Sequence, residues 1–223
     1  MPRPDCAAAL IGNKSIRGVI FDCDGVLTDS RDANLMYYNR LLQAADRAPM
    51  TREQEDFVHM ASERQAVEHI LPPEALARYH ELAAKVPYRK VVLPLMRLEE
   101  GAGAVLARLR ERGLRLAVHT NRGVGMWNVL EHFDLHDMFD PVMTVAQVAP
   151  KPSPEGVLRI LEDWGLPPSA AIFVGDSAAD AAAAGDAGVG LIAFKNAALR
   201  TAVAHVANFA ELETVLSAMS TLQ

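Results

Sequence analysis

Short apolar runs rich in β-branched residues recur along the chain, and each one ends abruptly in polar residues. Runs of this length with such ends predict buried strands. Between them lie stretches with helical periodicity at 102–112 and 155–164, each followed by a glycine, Gly113 or Gly165, in a position that commonly ends a helix. The four predicted strands cover residues 17–22, 114–119, 170–174 and 190–194.

This alternation of strands and helices predicts an α/β fold. Parallel strands need crossover connections, and helices in those connections cover both faces of the sheet, which gives a three-layer, Rossmann-like core. The carboxyl ends of parallel strands meet at one edge, and ligands bind beyond that edge. We therefore expect the polar residues that end the four runs to lie close together.

One region between the first two predicted strands interrupts the alternation. It contains no convincing strand, and the segments at 51–54 and 62–65 have the spacing of capping boxes that begin helices. The proline pair at 72–73 separates two further helices, because proline disrupts a helix interior. We predict an all-α cap at 30–95, inserted into a discontinuous core of residues 1–29 and 96–223, with residues 1–14 as a candidate flexible arm.

Composition excludes some classes of function. Hydrophobic residues make up 50% of the chain, enough for a globular core, and the 22 basic and 28 acidic residues give a net charge of −6. That charge argues against nucleic acid as the main partner, because phosphate backbones attract positive surfaces. No apolar run approaches the length of a membrane span or of a secretory signal. We expect a soluble cytoplasmic protein without a membrane partner.

The two cysteines, Cys6 and Cys23, agree with that location. Two cysteines provide no disulfide framework, which suits a reducing compartment. Cys23 lies between two acidic residues, where the alternation of side chains along a strand predicts a buried packing role. Cys6 lies in a poorly patterned segment and indicates no function.

Acidic side chains follow the first and the third predicted strands. Asp22 and Asp24 end the first, and Asp176 and Asp180 follow the third. Each pair alone has a structural alternative as a turn or a helix N-cap, where aspartate is favoured. Together they would bring up to four carboxylates to one edge, where their repulsion requires a cation or a shared proton. Hard oxygen ligands of this kind favour Mg²⁺.

Groups that could bind an anion follow other strands. Thr120 and Asn121 offer a hydroxyl and backbone N–H groups at a predicted helix start, which favours phosphate. Lys151 stands before the helix at 155–164, although a lone lysine in a loop is usually only solvated. The glycine-rich segment 185–190 is not a nucleotide loop, because its glycines end a helix instead of following a strand. We predict a turn there.

These segments, taken in order, resemble the haloacid dehalogenase superfamily and, within it, phosphatases such as phosphoglycolate phosphatase. The resemblance extends over residues 16–216 and depends on four motifs with their strand contexts. They are DCDGVLTDS at 22–30, the strand that ends in Thr120 and Asn121, KPSPE at 151–155, and GDSAAD at 175–180.

The resemblance implies a reaction in two displacements. Asp22 would be the nucleophile that attacks phosphorus, and Asp24 the general acid that protonates the leaving group and then activates water. A carboxylate suits the first role because a covalent intermediate divides a difficult hydrolysis into two steps. Thr120, the backbone N–H of Asn121 and Lys151 would hold the phosphate oxygens.

The resemblance also implies a Mg²⁺ cofactor. Asp22, the backbone carbonyl of Asp24 and Asp176 would hold the ion, with Asp180 acting through water or behind the direct ligands. The partner would be a small phosphorylated metabolite. In capped relatives a loop, here residues 59–64, reaches into the site. His59 or Arg64 could meet a second anionic group there, and Arg122 could contact substrate from the core side.

Two other activities stay open at this point. A phosphomutase resembling β-phosphoglucomutase would use the same carboxylates and return the phosphoryl group to a sugar. A catalytically retired relative would act as a binding or regulatory protein, although all four motif positions hold competent residues. Dehalogenation is disfavoured, because dehalogenase relatives have no acid at the position of Asp24.

Overall fold

The computed structural model describes residues 16–220. The predictions for Cys6 and for the arm at residues 1–14 lie outside this range. Within it, no helix is both long enough and apolar enough to span a membrane.

A parallel sheet of six strands forms the centre of the part described, in the order β5-β4-β1-β6-β7-β8. All four predicted strands are present within two residues of their expected ends, which confirms the α/β fold. Two short strands at the edges, β5 and β8, were not predicted, because they are only two and three residues long. The strands are β1 (Gly18–Phe21), β4 (Arg115–His119), β5 (Val142–Met143), β6 (Ala171–Gly175), β7 (Gly190–Phe194) and β8 (Ala204–Val206).

The register of the central strands brings their polar ends together. In β1, Phe21 pairs with Val118 of β4 and Val174 of β6, so all three strands end at the same level. The residues that follow them, from Asp22 onward in the case of β1, consequently lie at one edge of the sheet.

Helices cover both faces of this sheet. One face packs against α7 (Ala102–Glu111), α8 (Met126–His132) and α11 (Phe209–Ser220), and the other against α9 (Glu155–Trp164) and α10 (Ala178–Asp186). Consecutive strand residues serve the two faces in turn, and both layers are buried, as expected for an all-parallel sheet. Gly165 ends α9 with φ 60°, in the left-handed region that glycine enters without strain.

Residues 31–91 form six helices and no strand, in agreement with the helical periodicity of that region. Both capping boxes are present, with Thr51 bonded to Gln54 and Ser62 bonded to Gln65. The assignment of 30–95 as a separate cap stays a prediction. The helices are α1 (Arg31–Ala44), α2 (Arg52–Met60), α3 (Glu63–Ile70), α4 (Pro73–Leu76), α5 (Tyr79–Lys85) and α6 (Tyr88–Val91).

A small antiparallel ribbon joins the ends of this helical region, and the sequence pattern did not reveal it. Here β2 (Thr28–Asp29) pairs with β3 (Arg97–Leu98). The ribbon holds both connections side by side directly above the end of β1.

Candidate active site

A cavity of about 760 Å³ lies between the carboxyl edge of the sheet and the helices of residues 31–91. Its lining includes every predicted catalytic and phosphate-binding residue, but not every predicted metal or specificity residue. Those present are Asp22, Asp24, Thr120, Asn121, Lys151, Asp176, His59 and Arg122.

Three carboxylates meet at the floor of this cavity. One oxygen each from Asp22, Asp176 and Asp180 lies within 4.8 Å of the others. Gly25 permits this approach: its φ is 80°, and a Cβ there would lie 2.1 Å from Asp176 Oδ2. The glycine of the first motif is therefore required by a close contact between two segments remote in the chain.

Lys151 is the cation of this cluster. Its Nζ lies 2.7 Å from Asp22 Oδ1 and 2.6 Å from Asp180 Oδ1, and its side chain is only 3% exposed. Burial alone would lower the pKa of Lys151, but Asp180 and Asp22 raise it above its ordinary value, so the ammonium stays charged. The loop lysine is thus not a solvated residue.

One ammonium does not balance three carboxylates. Burial, followed by the charge of Asp180, raises the pKa of Asp176 to about 7. Burial also raises the pKa of Asp22, against the opposing effect of Lys151. These shifts mark a deficit of positive charge, and an oxygen-only donor set of this kind fits a hard divalent cation.

Asp180 is tied into the start of α10. Its carboxylate accepts hydrogen bonds from Ser177 Oγ at 2.6 Å and from the backbone N–H groups of Ser177 and Asp176. Ser177 in turn accepts from the Asp180 backbone, which completes a capping box. With Lys151 also bound, Asp180 is completely buried and firmly oriented.

Thr120 and Asn121 lie beside this cluster, but the expected helix start is wrong. The next helix, α8, begins only at Met126, because a loop intervenes. Asn121 makes a contact that the sequence did not predict: its side chain accepts from the Lys151 backbone N–H at 2.7 Å and donates to the Lys151 carbonyl at 3.2 Å. The amide thus fixes the lysine loop against the end of β4.

Asp24 points to different partners from Asp22. Arg122 Nε donates to Asp24 Oδ2 at 2.7 Å, and Arg122 Nη2 donates to Oδ1. Oδ1 also accepts from Ser30 and Asn34. Burial alone would raise the pKa of Asp24, but Arg122 and these hydrogen bonds lower it below its ordinary value. Ser30, in the same motif as Asp24, was the available sequence signal.

The helical region contributes unequal candidates for substrate specificity. His59 lines the cavity, and burial together with Arg31 lowers its pKa, which favours the neutral ring. Arg64 does not line the cavity: its side chain is 86% exposed and pairs with Glu68 one turn along α3. The hypothesis that Arg64 meets a substrate anion is wrong for this arrangement, because helix geometry directs it to solvent.

Cys23 is fully buried, which confirms its predicted packing role. Burial, and then the charge of Asp24, raises the pKa of the thiol to about 12. A thiol with this pKa is not a nucleophile near neutral pH.

His119, the last residue of β4, was not identified from the sequence. Its ring is completely buried against Phe173, and neither ring nitrogen has a hydrogen-bond partner among the residues described. A Cβ at Gly156 would lie 2.4 Å from His119 Nε2, so only glycine allows α9 to pack there. Burial, and then the charge of Lys151, lowers the pKa of His119 to about 3.

We expect His119→Leu to stabilise the protein, most strongly in acid. At neutral pH the gain is about 1 kcal/mol, because orphaned buried nitrogens are removed. The wild-type unfolded state takes up a proton near pH 6.5 and the folded state only near pH 3, so wild-type stability falls as the pH drops through that interval. At pH 5 this adds about 2 kcal/mol to the gain.

Urea denaturation at pH 8 and pH 5 measures both effects. A variant that is less stable than wild type at pH 8, with the same pH dependence, would show that ordered water satisfies the ring.

Comparison with known proteins decides the family. Residues 19–194 match the family described as haloacid dehalogenase-like hydrolase. The chain belongs to this family. The resemblance predicted from the four motifs is therefore confirmed.

Curated relatives of this haloacid dehalogenase-like hydrolase include phosphatases. A phosphoglycolate phosphatase from Rhodospirillum rubrum is 28% identical over 222 residues, covering 90% of this chain and 88% of that protein. A candidate pyrophosphatase PpaX from Caldanaerobacter subterraneus is 36% identical over 101 residues, which is 44% of this chain and only 46% of that protein. These relatives support the predicted enzyme class, a phosphoric monoester hydrolase.

Solved structures agree with the fold. A hydrolase of subfamily IA of the same superfamily, from Geobacter sulfurreducens, has a TM-score of 0.74 at 36% identity and covers 90% of this chain and 96% of its own. A β-phosphoglucomutase from Clostridium difficile has a TM-score of 0.78, with 92% and 97% covered. At 19% identity the second likeness concerns the fold alone.

Proposed function

We propose that this hydrolase is a Mg²⁺-dependent phosphatase that cleaves a small phosphomonoester through an aspartyl-phosphate at Asp22. The observation that most strongly supports this is the pairing of Asp22 with a buried lysine inside a three-carboxylate cluster at the cavity floor. Phosphoryl transfer needs this combination, because an anionic nucleophile must approach an anionic phosphate.

The residues present fit a magnesium ion. Asp22 and Asp176, with the backbone carbonyl of Asp24, would hold it, and Asp180 would orient Lys151 and act through water. When bound, the ion offsets the charge of nucleophile and phosphate and so lowers their repulsion. The raised pKa values of Asp22 and Asp176 support this assignment, because they indicate uncompensated negative charge.

In the first displacement, Asp22 Oδ2 forms a bond to phosphorus as the ester P–O bond breaks. The supporting geometry is that both printed donors to Asp22, Lys151 Nζ and the Cys23 N–H, contact Oδ1. The departing alkoxide receives a proton from Asp24. In the second displacement, a water attacks phosphorus, Asp24 accepts its proton, and inorganic phosphate leaves with the Asp22 carboxylate restored.

The phosphate oxygens would be bound by Thr120, the backbone N–H of Asn121 and Lys151. Thr120 is 1% exposed, and its Oγ1 accepts from the Arg122 backbone N–H at 3.1 Å. That bond leaves the Thr120 hydroxyl proton for a phosphate oxygen. The Asn121 side chain, bonded to the Lys151 backbone, keeps the two binding segments at a fixed separation.

A small phosphorylated metabolite is the proposed substrate class, in keeping with the phosphoglycolate phosphatases among the relatives. The likeness to a β-phosphoglucomutase keeps a phosphomutase as the second candidate. A cytoplasmic location stays a prediction from cysteine content.

The decisive assay is release of inorganic phosphate from p-nitrophenyl phosphate and from a panel of small phosphomonoesters, with Mg²⁺ and with excess chelator. We expect Mg²⁺-dependent release that the chelator abolishes. Isomerisation of β-glucose 1-phosphate faster than phosphate release would indicate the mutase instead. No release under any metal or pH condition would contradict the proposal and favour a retired relative.

A further inference from the structure

The Asp24–Arg122 pair holds the proposed acid in a state in which it cannot act. The Arg122 guanidinium engages both oxygens of Asp24, donates to the Tyr88 hydroxyl, and lies 5.6 Å from the centroid of the Tyr88 ring. Ser30 and Asn34 occupy Oδ1 as well. With both carboxylate oxygens engaged, Asp24 has none left for a leaving group.

The guanidinium is a receptor that a carboxylate already fills. A planar fork of N–H donors binds carboxylate or phosphate in this bidentate manner, and does so most strongly where water is excluded. The Arg122 side chain is only 11% exposed, yet it lines the cavity. Asp24 thus occupies a position that an anion from the cavity could take.

Arg122 is also next to the proposed phosphate position. It follows Thr120 by two residues, and its backbone N–H donates to the Thr120 hydroxyl. A second anionic group close to the phosphate ester would therefore reach Arg122 before the other cations. Those cations lie further out or have other tasks: Arg31 pairs with Asp56 and Lys195 with Glu99, both exposed, whereas Lys151 faces the phosphate.

We propose that the substrate is a phosphomonoester with a second anionic group, a carboxylate or another phosphate, and that this group displaces Asp24 from Arg122. The displacement would free the Asp24 carboxyl to reach the leaving oxygen. Substrate charge would therefore control both binding and the position of the acid. This inference rests on the proposed phosphatase function and adds its substrate class and a specificity-determining residue.

The test compares two esters of similar size, carboxymethyl phosphate and ethyl phosphate, at one pH. We expect wild type to prefer the carboxylate-bearing ester in kcat/KM by at least about tenfold, because charge-assisted hydrogen bonds distinguish the two. Arg122→Met should reduce that ratio to near one, and Arg122→Lys should give an intermediate ratio, because lysine keeps the charge without the fork.

Arg31→Met is the matched control. It removes a cation that also lines the cavity but is 44% exposed and paired with Asp56. We expect the wild-type ratio in this variant. An unchanged ratio in Arg122→Met would overturn the inference, and so would an equal loss on both esters, which would mean that Arg122 only orients Asp24.

A binding measurement separates this inference from the proposed reaction. Calorimetry with the non-hydrolysable carboxymethylphosphonate and ethylphosphonate should show tighter binding of the first, with the difference lost in Arg122→Met. That result would support the receptor even if neither ester were hydrolysed, in which case the phosphatase proposal alone fails. Equal binding of both phosphonates by wild type would overturn the receptor even if both esters were hydrolysed.

Discussion

Asp22→Asn is expected to lower phosphatase turnover by at least about 10³-fold, because the atom that bonds to phosphorus is lost while substrate binding is retained. The amide has nearly the same shape as the carboxylate, so the fold should persist. Burial already raises the pKa of Asp22, and a neutral side chain is therefore tolerated there. Initial rates with p-nitrophenyl phosphate and circular dichroism of the same samples test both expectations.

Asp29→Asn is the control for this substitution. Asp29 is an exposed aspartate of β2, seven residues further along the chain, and the same chemical change there should leave turnover within about twofold of wild type, as expected of a surface substitution. Substantial residual activity in Asp22→Asn would remove Asp22 from the role of nucleophile.

Lys151→Met is expected to lower the free energy of unfolding by about 3–5 kcal/mol in the presence of chelator. The reason is that Lys151 Nζ contacts Asp22 and Asp180 at 2.7 and 2.6 Å in a site that water hardly reaches. Removing the ammonium leaves two buried carboxylates without their cation. Methionine keeps the length and apolar stem of lysine, so little packing is lost.

Lys195→Met provides the comparison, because Lys195 also pairs with a carboxylate, Glu99, but is 48% exposed. Exposed pairs of this kind contribute at most about 1 kcal/mol. Added Mg²⁺ should restore stability in Lys151→Met more than in wild type, since a divalent ion compensates the same carboxylates. A loss below about 1 kcal/mol in Lys151→Met would show that Asp22 and Asp180 are not ionised together.

Several site residues were predictable because the chemistry is written locally. An acidic or hydroxyl residue directly after an apolar run predicts its own position at the carboxyl edge, whatever the details of packing. Asp22, Thr120 and Asp176 all lie there, in the cavity lining. The capping boxes were predictable for the same reason, since each involves residues three apart in one helix.

Contacts between remote segments were not predictable in this way. Arg122 and Asp24 are 98 positions apart, and nothing near either residue in the chain indicates the pair. The orphaned ring of His119 depends on how closely Gly156 lets α9 approach the sheet. Arg64 was misplaced because a loop position does not reveal which side of the next helix turn faces the cavity.

The sequence by itself determined the alternation of strands and helices, the helical region between the first two main strands, and the residues that end each strand. These follow from hydrophobic periodicity and backbone preference, which act over a few neighbouring residues. Only the tertiary structure decided which carboxylates share Lys151, which one is held by Arg122, and which cap residues reach the cavity. Those outcomes depend on side-chain direction and on the packing distance between segments, and neither quantity is encoded in a local pattern.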